Sequence, residues 1–246
     1  MTKPVFKRYC DQLHRHIGWL ATWQPDSPIA VGDVCLMEGR QMVRQFHLDD
    51  RGIGCTEIVS PTVAHVGWQS SKGITVKPSA GASATGVGDA HVEVKFEDAD
   101  AMVFRAERCR EHSLDRLDRL KDELLDLRSR GQWDEDLLVV TQVRHAERLL
   151  VVVAGERGSS AVVKVAADAF SPGLDLSSAN VGVELLRATS TGYQISNARN
   201  TTPLFQAVRV RRVGVRREHV IRRIGRKGKL RSGAESYDLV PVDYED

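Results

Sequence analysis

The apolar period of the chain changes several times, and each change predicts a new element. Near the start, apolar residues recur at the three- and four-residue spacing of an amphipathic helix, which predicts a helix over about Lys3–Leu20. The residues of this stripe are Phe6, Cys10, Leu13 and Ile17. A second stripe follows Ser113, a suitable N-cap, and predicts a surface helix that ends before Gly131. Its residues are Leu114, Leu117, Leu120, Leu124 and Leu127.

Most other apolar residues lie in extended segments. The predicted strands cover Ile29–Met37, Gln41–Leu48, Ile53–Trp68, Leu137–Gln142 and Phe205–Val215. Two hairpins are predicted between the last two of these, with arms Leu149–Ala154 and Ala161–Ala167, and Val181–Ala188 and Tyr193–Ser196. This order of elements predicts an α+β fold, a single domain with a central twisted, mostly antiparallel sheet flanked by helices.

The segment Ile74–Phe96 alternates between apolar or small residues and polar ones, with Val87 as the exception. Strands average about five or six residues, so this alternation is unusually long. It matches two arms of about ten residues that cross a bilayer as an antiparallel hairpin, apolar side chains outward. A single hairpin would leave its edge amides unsatisfied in lipid, so only a closed β-barrel of many chains is stable there.

A second candidate membrane hairpin combines Leu149–Ala167 with Val181–Ser196. The residues predicted to face lipid in the first hairpin are Ile74, Val76, Ala80, Ala82, Ala84, Val92, Val94 and Phe96. Those in the second are Leu149, Val151, Val153, Val163, Val165, Val181, Val183 and Leu185. The chain is therefore predicted to be a water-soluble protein that refolds two segments into an oligomeric pore.

The net charge of +2 hides a basic block followed by an acidic one. Between Ala207 and Arg231 a single acid, Glu218, stands among many arginines and lysines, whereas Ser232–Asp246 carries only acids. Such a block binds polyanions, either phosphodiesters or anionic lipid headgroups. The candidate lipid-binding residues are Arg209, Arg211, Arg212, Arg216, Arg217, Arg222 and Arg223. An ordinary strand and helix with solvated Arg-rich faces would give the same pattern.

Catalytic patterns are weak, which predicts that the chain is not an enzyme and takes no cofactor or small-molecule substrate. No nucleophile elbow or cysteine-protease signature occurs, and the four cysteines are too widely spaced to indicate a metal site. The longest apolar run, Leu149–Ala154, is far shorter than the roughly 20 residues of a spanning helix. With no secretory signal visible either, we expect the chain to reside in the cytoplasm.

Several phrases of the sequence, in this order, resemble bacterial gasdermins. They are the alternating segment that runs into His91-Val-Glu-Val-Lys-Phe-Glu-Asp-Ala-Asp, the leucine helix, Asp136-Leu-Leu-Val-Val-Thr-Gln-Val-Arg-His-Ala-Glu, the hairpin, and Thr202-Pro-Leu-Phe-Gln-Ala-Val-Arg-Val. The resemblance covers about residues 74–210. It implies a gasdermin-like fold and a pore-forming body whose short carboxy-terminal peptide inhibits it until a protease removes that peptide. The freed bodies of this family insert into the inner membrane and kill an infected cell in antiphage defence.

Applied to this sequence, the resemblance implies a pore-forming body over residues 1–228 and an inhibitory peptide over residues 229–246. The predicted cleavage region contains Arg226, Lys227, Lys229 and Arg231. The implied partners are an activating protease, anionic membrane lipids and further copies of the chain. The inactive form is expected in the cytoplasm and the active form at the inner membrane. Cys10 is interpreted either as a core residue of its helix or as an acylation site.

A different class of function also fits the basic block. A cytoplasmic nucleic-acid-binding protein would use residues 209–231 as its footprint and would bind duplex with a strong dependence on salt. A purely structural adaptor is a third hypothesis.

Overall fold

Antiparallel β-structure dominates the computed structural model, which describes residues 4–24, 28–70, 72–79, 89–166, 174–178, 183–213 and 236–244. Strands make up 55% and helices 16% of it. The helices are α1 (Val5–Ile17), a 3₁₀ helix (Leu48–Arg51) and α2 (Leu117–Ser129). The strands are β1 (Leu20–Ala21), β2 (Asp33–Glu38), β3 (Gln41–His47), β4 (Glu57–Gln69), β5 (Ile74–Pro78), β6 (Asp89–Phe96), β7 (Met102–Leu114), β8 (Leu138–Ala146), β9 (Arg148–Ala154), β10 (Ser160–Ala166), β11 (Val183–Thr189), β12 (Thr191–Ala198), β13 (Thr201–Val213) and β14 (Ser236–Pro241).

The predicted α+β fold with a helix-flanked sheet is wrong, because the protein is mostly β. Among the described residues only two segments carry the 3.6-residue period and form α-helices, whereas fourteen are extended. An extended segment with one apolar face can bury that face against another sheet as well as against a helix. A second sheet, and not a layer of helices, therefore covers much of the larger sheet.

Both predicted helices are present, but each is shorter than expected. Helix α1 ends at Ile17, where Gly18 takes the left-handed conformation (φ 76°) that favours glycine. Helix α2 begins at Leu117, and its N-cap is Arg116 rather than the predicted Ser113. Ser113 belongs to β7, where it lies opposite both Ile58 and Gln142. Strand pairing on both sides thus extends β7 into the region that sequence alone assigned to the helix.

The strands form a ten-stranded and a four-stranded sheet, and every pairing in the described part of the chain is antiparallel. The main path of the larger sheet is β1-β13-β8-β7-β9-β12, with β14 added to β13, β4 to β7, and the β2–β3 hairpin to β8. The smaller sheet has the order β11-β10-β6-β5.

Two long, bent hairpins connect these sheets. In hairpin A, β4 pairs with β7 in the ten-stranded sheet and β5 pairs with β6 in the four-stranded sheet. In hairpin B, β9 pairs with β12 and β10 pairs with β11 in the same way. We call the halves in the ten-stranded sheet proximal and those in the four-stranded sheet distal. The local hairpins predicted over Leu149–Ala167 and Val181–Ser196 do not form separately, because each pair of arms divides between the two sheets.

The core has three parts. One face of the ten-stranded sheet packs against α1 through residues such as Tyr9, Leu13 and Phe104. The opposite face packs partly against the four-stranded sheet and partly against α2, whose buried residues are Leu120 and Leu124. The four-stranded sheet therefore packs on the larger sheet through one apolar face and is connected to the proximal halves of the hairpins.

Candidate membrane-inserting sheet and its restraints

The four-stranded sheet brings together most of the residues predicted to face lipid. On its inner face Val92, Val94, Phe96, Val163 and Val165 are at most 2% exposed and pack against Val103, Leu150 and Val152 of the larger sheet. Ile74, Val76, Val183 and Leu185 are partly buried around them. The two segments that sequence alone proposed as membrane hairpins thus lie side by side and share one apolar face.

The remaining predicted residues lie elsewhere. Leu149, Val151 and Val153 belong to β9 and are buried in the core beneath α1, in the ten-stranded sheet. Ala80, Ala82, Ala84 and Val181 lie outside the described residues. The apolar face of the four-stranded sheet therefore draws on β5, β6, β10 and β11, and β9 supports it from the larger sheet through Leu150 and Val152.

The outer face of the four-stranded sheet is polar and charged. Across the β6–β10 pair Lys164 lies opposite His91, and across the β10–β11 pair it lies opposite Glu184. Glu93 lies opposite Lys77 and 3.8 Å from Lys95. Opposite charges in cross-strand positions stabilise a sheet by a few tenths of a kcal/mol to about 1 kcal/mol per pair. This face is therefore already adapted to water, as the inner surface of a pore must be.

The bends of the two hairpins lie next to each other and are joined by backbone hydrogen bonds. The amide of Phe96 donates to the carbonyl of Ser159, and the amide of Gly158 donates back to Phe96, both at 2.8 Å. Ala154 donates to Ala101 at 2.9 Å. The Ser159 hydroxyl is fully buried and lies 2.6 Å from the carbonyl oxygen of Ser190, on the other arm of hairpin B. The bends are thus fixed by specific contacts.

Helix α1 holds both bends. The buried Arg8 guanidinium donates to the carbonyl oxygen of Ala99, to the Asp100 carboxylate at 3.0 Å and to the carbonyl oxygen of Ala154 at 3.3 Å. Gln12 adds a bond from its side-chain amide to the Asp100 carbonyl at 2.8 Å. Ala99 and Asp100 lie in the bend of hairpin A, and Ala154 begins the bend of hairpin B. One helix therefore contacts the bends of both hairpins.

A buried arginine holds residues 174–178, which belong to the connection between β10 and β11. The Arg105 guanidinium on β7 donates to the carbonyl oxygens of Leu176 at 3.3 Å and Ser178 at 2.5 Å. Its charge is balanced by Glu107, 2.7 Å away, which Arg148 also approaches to 2.9 Å. Breaking a buried pair of this kind is costly because one charge stays behind without its partner. Part of hairpin B is thus stored against the proximal half of hairpin A.

The segment 236–244 is built into the fold. Strand β14 pairs with β13 over six residue pairs, from Val208–Pro241 to Val213–Ser236. Tyr244 is 6% exposed, and its hydroxyl accepts a hydrogen bond from the Ala21 amide at 2.8 Å and donates one to the Ala21 carbonyl at 2.9 Å. Burial raises the pKa of Tyr244 well above its ordinary value, so the hydroxyl stays protonated. The tyrosine therefore anchors this segment to β1.

Charged contacts add to this anchor. The Arg40 guanidinium donates to the Tyr244 carbonyl oxygen, lies 4.6 Å from the centre of the Tyr244 ring and pairs with Asp11 of α1 at 2.9 Å. Asp243 lies 3.0 Å from His14 of α1. Lys121 of α2 bonds Asp238 at 2.7 Å and lowers the pKa of that carboxyl. Both helices therefore contact the segment, and α1 touches it as well as the hairpin bends.

The structure describes only part of the predicted basic and cleavage regions. Arg209, Arg211 and Arg212 lie on β13, where Arg211 is opposite Asp238 of β14. The other predicted lipid-binding residues, Arg216, Arg217, Arg222 and Arg223, and the cleavage residues Arg226, Lys227, Lys229 and Arg231 lie outside the described residues. The acidic segment does pair with the basic strand wherever both are described.

Cys10 is a core residue of α1 in this structure. It is fully buried, and its Sγ atom lies 3.6 Å from the Ala21 carbonyl oxygen and 3.7 Å from that of Arg40. Burial raises the pKa of its thiol to about 12, so almost none of it is thiolate at neutral pH. Acylation would require this part of α1 to open first.

Sequence reasoning missed three of the residues that hold the hairpins and the terminal segment: Arg8, Arg105 and Tyr244. Arg8 and Arg105 each stand beside apolar residues, next to Tyr9 and Phe104 respectively, and Tyr244 stands between the acids Asp243 and Glu245. The only signal in the sequence was a charged or aromatic residue that interrupts its local pattern. The hydrogen-bond partners could not be inferred, because Ala99 is 91 residues from Arg8 and Ala21 is 223 residues from Tyr244.

Within the described residues no helix has the length and hydropathy needed to span a bilayer. No protein-family model matches this chain, and no curated protein sequence is significantly similar to it.

Proposed function

We propose that this chain is the resting precursor of an oligomeric membrane pore, and that residues 236–244 keep it in the resting form. Proteolysis between the body and this segment releases the segment, and the distal halves of hairpins A and B then enter the membrane. The two-hairpin arrangement carries the proposal: the distal halves form a separate sheet with one apolar and one charged face, continuous with strands of the body. As the resemblance to bacterial gasdermins implies, the outcome would be cell death in antiphage defence.

The sheet order supports this conversion. Because β6 already pairs with β10, the distal halves of hairpins A and B can leave the body as one four-stranded unit without losing a strand pair. Its edge strands in the described part of the chain are β5 and β11, and copies joined edge to edge would satisfy both. The apolar face, now buried against Val103, Leu150 and Val152, would instead contact lipid tails.

The restraints support inhibition by the terminal segment. Tyr244, Asp243 and Arg40 connect that segment to α1, and Arg8 and Gln12 of α1 hold the bends. Loss of the segment would remove contacts from the helix that restrains both hairpins. The exposed Arg211 of β13 would then lose Asp238 as its cross-strand neighbour and could contact an anionic headgroup, at about 1 kcal/mol for each surface charge. On this proposal the resting protein is cytoplasmic and the active form lies in the inner membrane.

The test is dye release from anionic liposomes. A protease recognition sequence placed within residues 226–231 lets the intact, folded chain be cut in the assay. We expect the cut protein to release dye and the uncut protein to remain silent. Salt-dependent binding to duplex nucleic acid without dye release would contradict the pore and favour the nucleic-acid alternative.

A reversible lock provides the matched control. Arg211 and Asp238 lie opposite each other on β13 and β14, so R211C/D238C ties the terminal segment to the body by a disulfide. After cutting, this variant should stay silent until a reductant is added and then release dye. Release by the oxidised, cut protein would show that departure of the segment is not required.

A further inference from the structure

Three side chains of different chemistry meet at the turn between β3 and β4. His47 is the last residue of β3, Asp49 belongs to the 3₁₀ helix, and Cys55 precedes β4. One potential ligand atom from each of the three lies within 4.8 Å of the other two. Imidazole, carboxylate and thiol together are a donor set typical of zinc sites.

The orientation of His47 leaves one ring nitrogen for a cation. Its Nε2 atom lies 3.0 Å from the carbonyl oxygen of Val31, which can only accept, so Nε2 carries the proton. The lone pair of Nδ1 then faces the Asp49 carboxylate, with Oδ2 at 3.2 Å. Nδ1 serves as the N-cap acceptor of the 3₁₀ helix and takes the Asp49 amide only at a long 3.3 Å, so a bound cation would replace weak backbone contacts. Two electron-rich atoms at this separation repel each other unless a proton or a metal cation lies between them.

The same contacts provide the support that metal ligands need. A histidine that binds a metal usually donates a hydrogen bond from its second ring nitrogen to a backbone carbonyl or a carboxylate. His47 donates such a bond from Nε2 to the Val31 carbonyl oxygen. Asp49 is held through Oδ1, which accepts the Cys55 amide at 3.1 Å, so that Oδ2 points towards the imidazole. Backbone contacts thus orient both His47 and Asp49, so neither side chain needs a large change of conformation to bind an ion.

Access from solvent also fits an ion, and the backbone beside the site has to be glycine. Gly32, at φ 88°, passes so close to the site that a Cβ atom there would lie 2.7 Å from His47 Nε2 and 2.8 Å from the Cys55 sulfur. Any larger residue would push these two side chains apart. The Asp49 side chain is 59% exposed and that of His47 21% exposed, so an ion can enter from solvent.

We propose that His47 Nδ1, Asp49 Oδ2 and Cys55 Sγ bind a divalent ion of the zinc class. Ligand bonds of about 2.0–2.3 Å at tetrahedral angles bring ligand atoms to about 3.5 Å from one another, so a separation of 4.8 Å has to shorten by about 1.3 Å. The thiol proton passes to solvent as the sulfur–metal bond forms, and water fills the fourth position. The ion joins the end of β3 to the start of β4, the first strand of hairpin A, and does not depend on the pore proposal.

Cobalt(II), with zinc as competitor, tests this in the full-length chain. We expect one equivalent of cobalt to give the near-ultraviolet band of a thiolate–cobalt bond, and zinc to remove it. C55S should abolish the band, and H47Q and D49N should weaken binding by at least the roughly 10–100-fold that loss of an outer-shell partner costs. H65Q, which changes an exposed histidine of β4, serves as the control and should bind like the wild type.

Two results would overturn the site. One is a wild-type chain that is folded by circular dichroism and binds neither ion. The other is an unchanged cobalt band in C55S. In either case the three side chains serve only to stabilise the turn. Because H47Q and D49N each keep a polar side chain at the turn, a folded variant with normal binding would equally exclude its residue as a ligand.

Discussion

The proximal and distal halves of the same hairpins differ in how completely they are buried. Strand β9 in the proximal half of hairpin B is buried on both faces, with Leu149, Val151 and Val153 towards α1 and Leu150 and Val152 towards the four-stranded sheet. In the distal halves Lys164 and its neighbours leave one face in water. A hairpin can therefore have one half that is fixed in the body and one half that is only stored against it.

The difference sets which half can move. Five buried side chains of the distal halves, at about 2 kcal/mol each, contribute roughly 10 kcal/mol in water, which is enough to keep the sheet in place. These residues are Val92, Val94, Phe96, Val163 and Val165. Lipid would supply an apolar environment of the same kind, so that most of this free energy would be retained on insertion. The proximal strands would have to expose two apolar faces and a buried ion pair.

The largest expected effect on the free energy of unfolding comes from truncating one buried side chain to alanine in each half. Phe104→Ala removes a fully buried ring from the core beneath α1 and should lower the free energy of unfolding by about 3–5 kcal/mol. Val94→Ala, in the distal half of hairpin A, should lower it by only about 1.6 kcal/mol for two methylene equivalents, plus a small cavity term. Urea denaturation measures both. A loss for Val94→Ala as large as that for Phe104→Ala, although a much smaller side chain is removed, would contradict a distal half that is only stored against the body.

A smaller loss of stability is expected when Arg8 of α1, which contacts the bends, is replaced. Arg8→Met removes three hydrogen bonds of a buried guanidinium and should destabilise the fold by about 2 kcal/mol. Hydrogen exchange should accelerate at the amides of Ala154, Gly158 and Phe96, which join the bends. Lys7→Met, on the exposed side of α1, is the control and should change none of them. Acceleration spread evenly over the ten-stranded sheet would contradict a local restraint.

The hydroxyl of Tyr244, which anchors the terminal segment, should contribute about 1–2 kcal/mol to the free energy of unfolding. Tyr244→Phe removes the hydroxyl and leaves the buried amide and carbonyl of Ala21 without this partner. We expect a lower melting temperature and faster proteolysis within residues 236–244, with little change in exchange at the proximal strands. A variant as resistant to proteolysis as the wild type would exclude Tyr244 as the anchor.

The smallest expected effect is on pH dependence. Lys121, followed by the Leu239 amide, lowers the pKa of Asp238 below its ordinary value of 3.8. The folded state thus favours the carboxylate, and this contribution is present above about pH 3.8 and is lost as the pH falls through the lower, folded pKa. Because Asp238 is 47% exposed, solvent screens the effect. NMR titration should show the Asp238 pKa rising in Lys121→Met; an unchanged value would exclude this ion pair.

The local elements were largely predictable, and their arrangement was not. The helical stripe around Leu13 and the alternation around Val92 and Val94 are short-range patterns, so both elements appear where expected. The choice between a hairpin of β9 with β10 and the observed pairing with β12 and β11 depends on contacts between residues far apart in sequence, from Val165 with Val183 to Leu149 with Ala198. Period-two patterns identify the apolar face of a strand but do not identify its partner.

The candidate sites divide in the same way. The apolar residues of the distal sheet could be selected from their alternation, because a buried face requires it. The triad His47, Asp49 and Cys55 escaped the sequence analysis because no motif marks its spacing, and only the turn after β3 brings the ligands together. Arg8 and Arg105 escaped it because their partners are carbonyl oxygens of distant bends and loops.

By itself the sequence determined which residues alternate and which follow a helical period, because these patterns depend only on the geometry of neighbouring residues. The tertiary structure alone decided that the extended segments fold into two sheets, that both hairpins bend at one place, and that α1 contacts these bends together with the terminal segment. Those outcomes depend on the free energy of packing between distant surfaces, which no local pattern encodes.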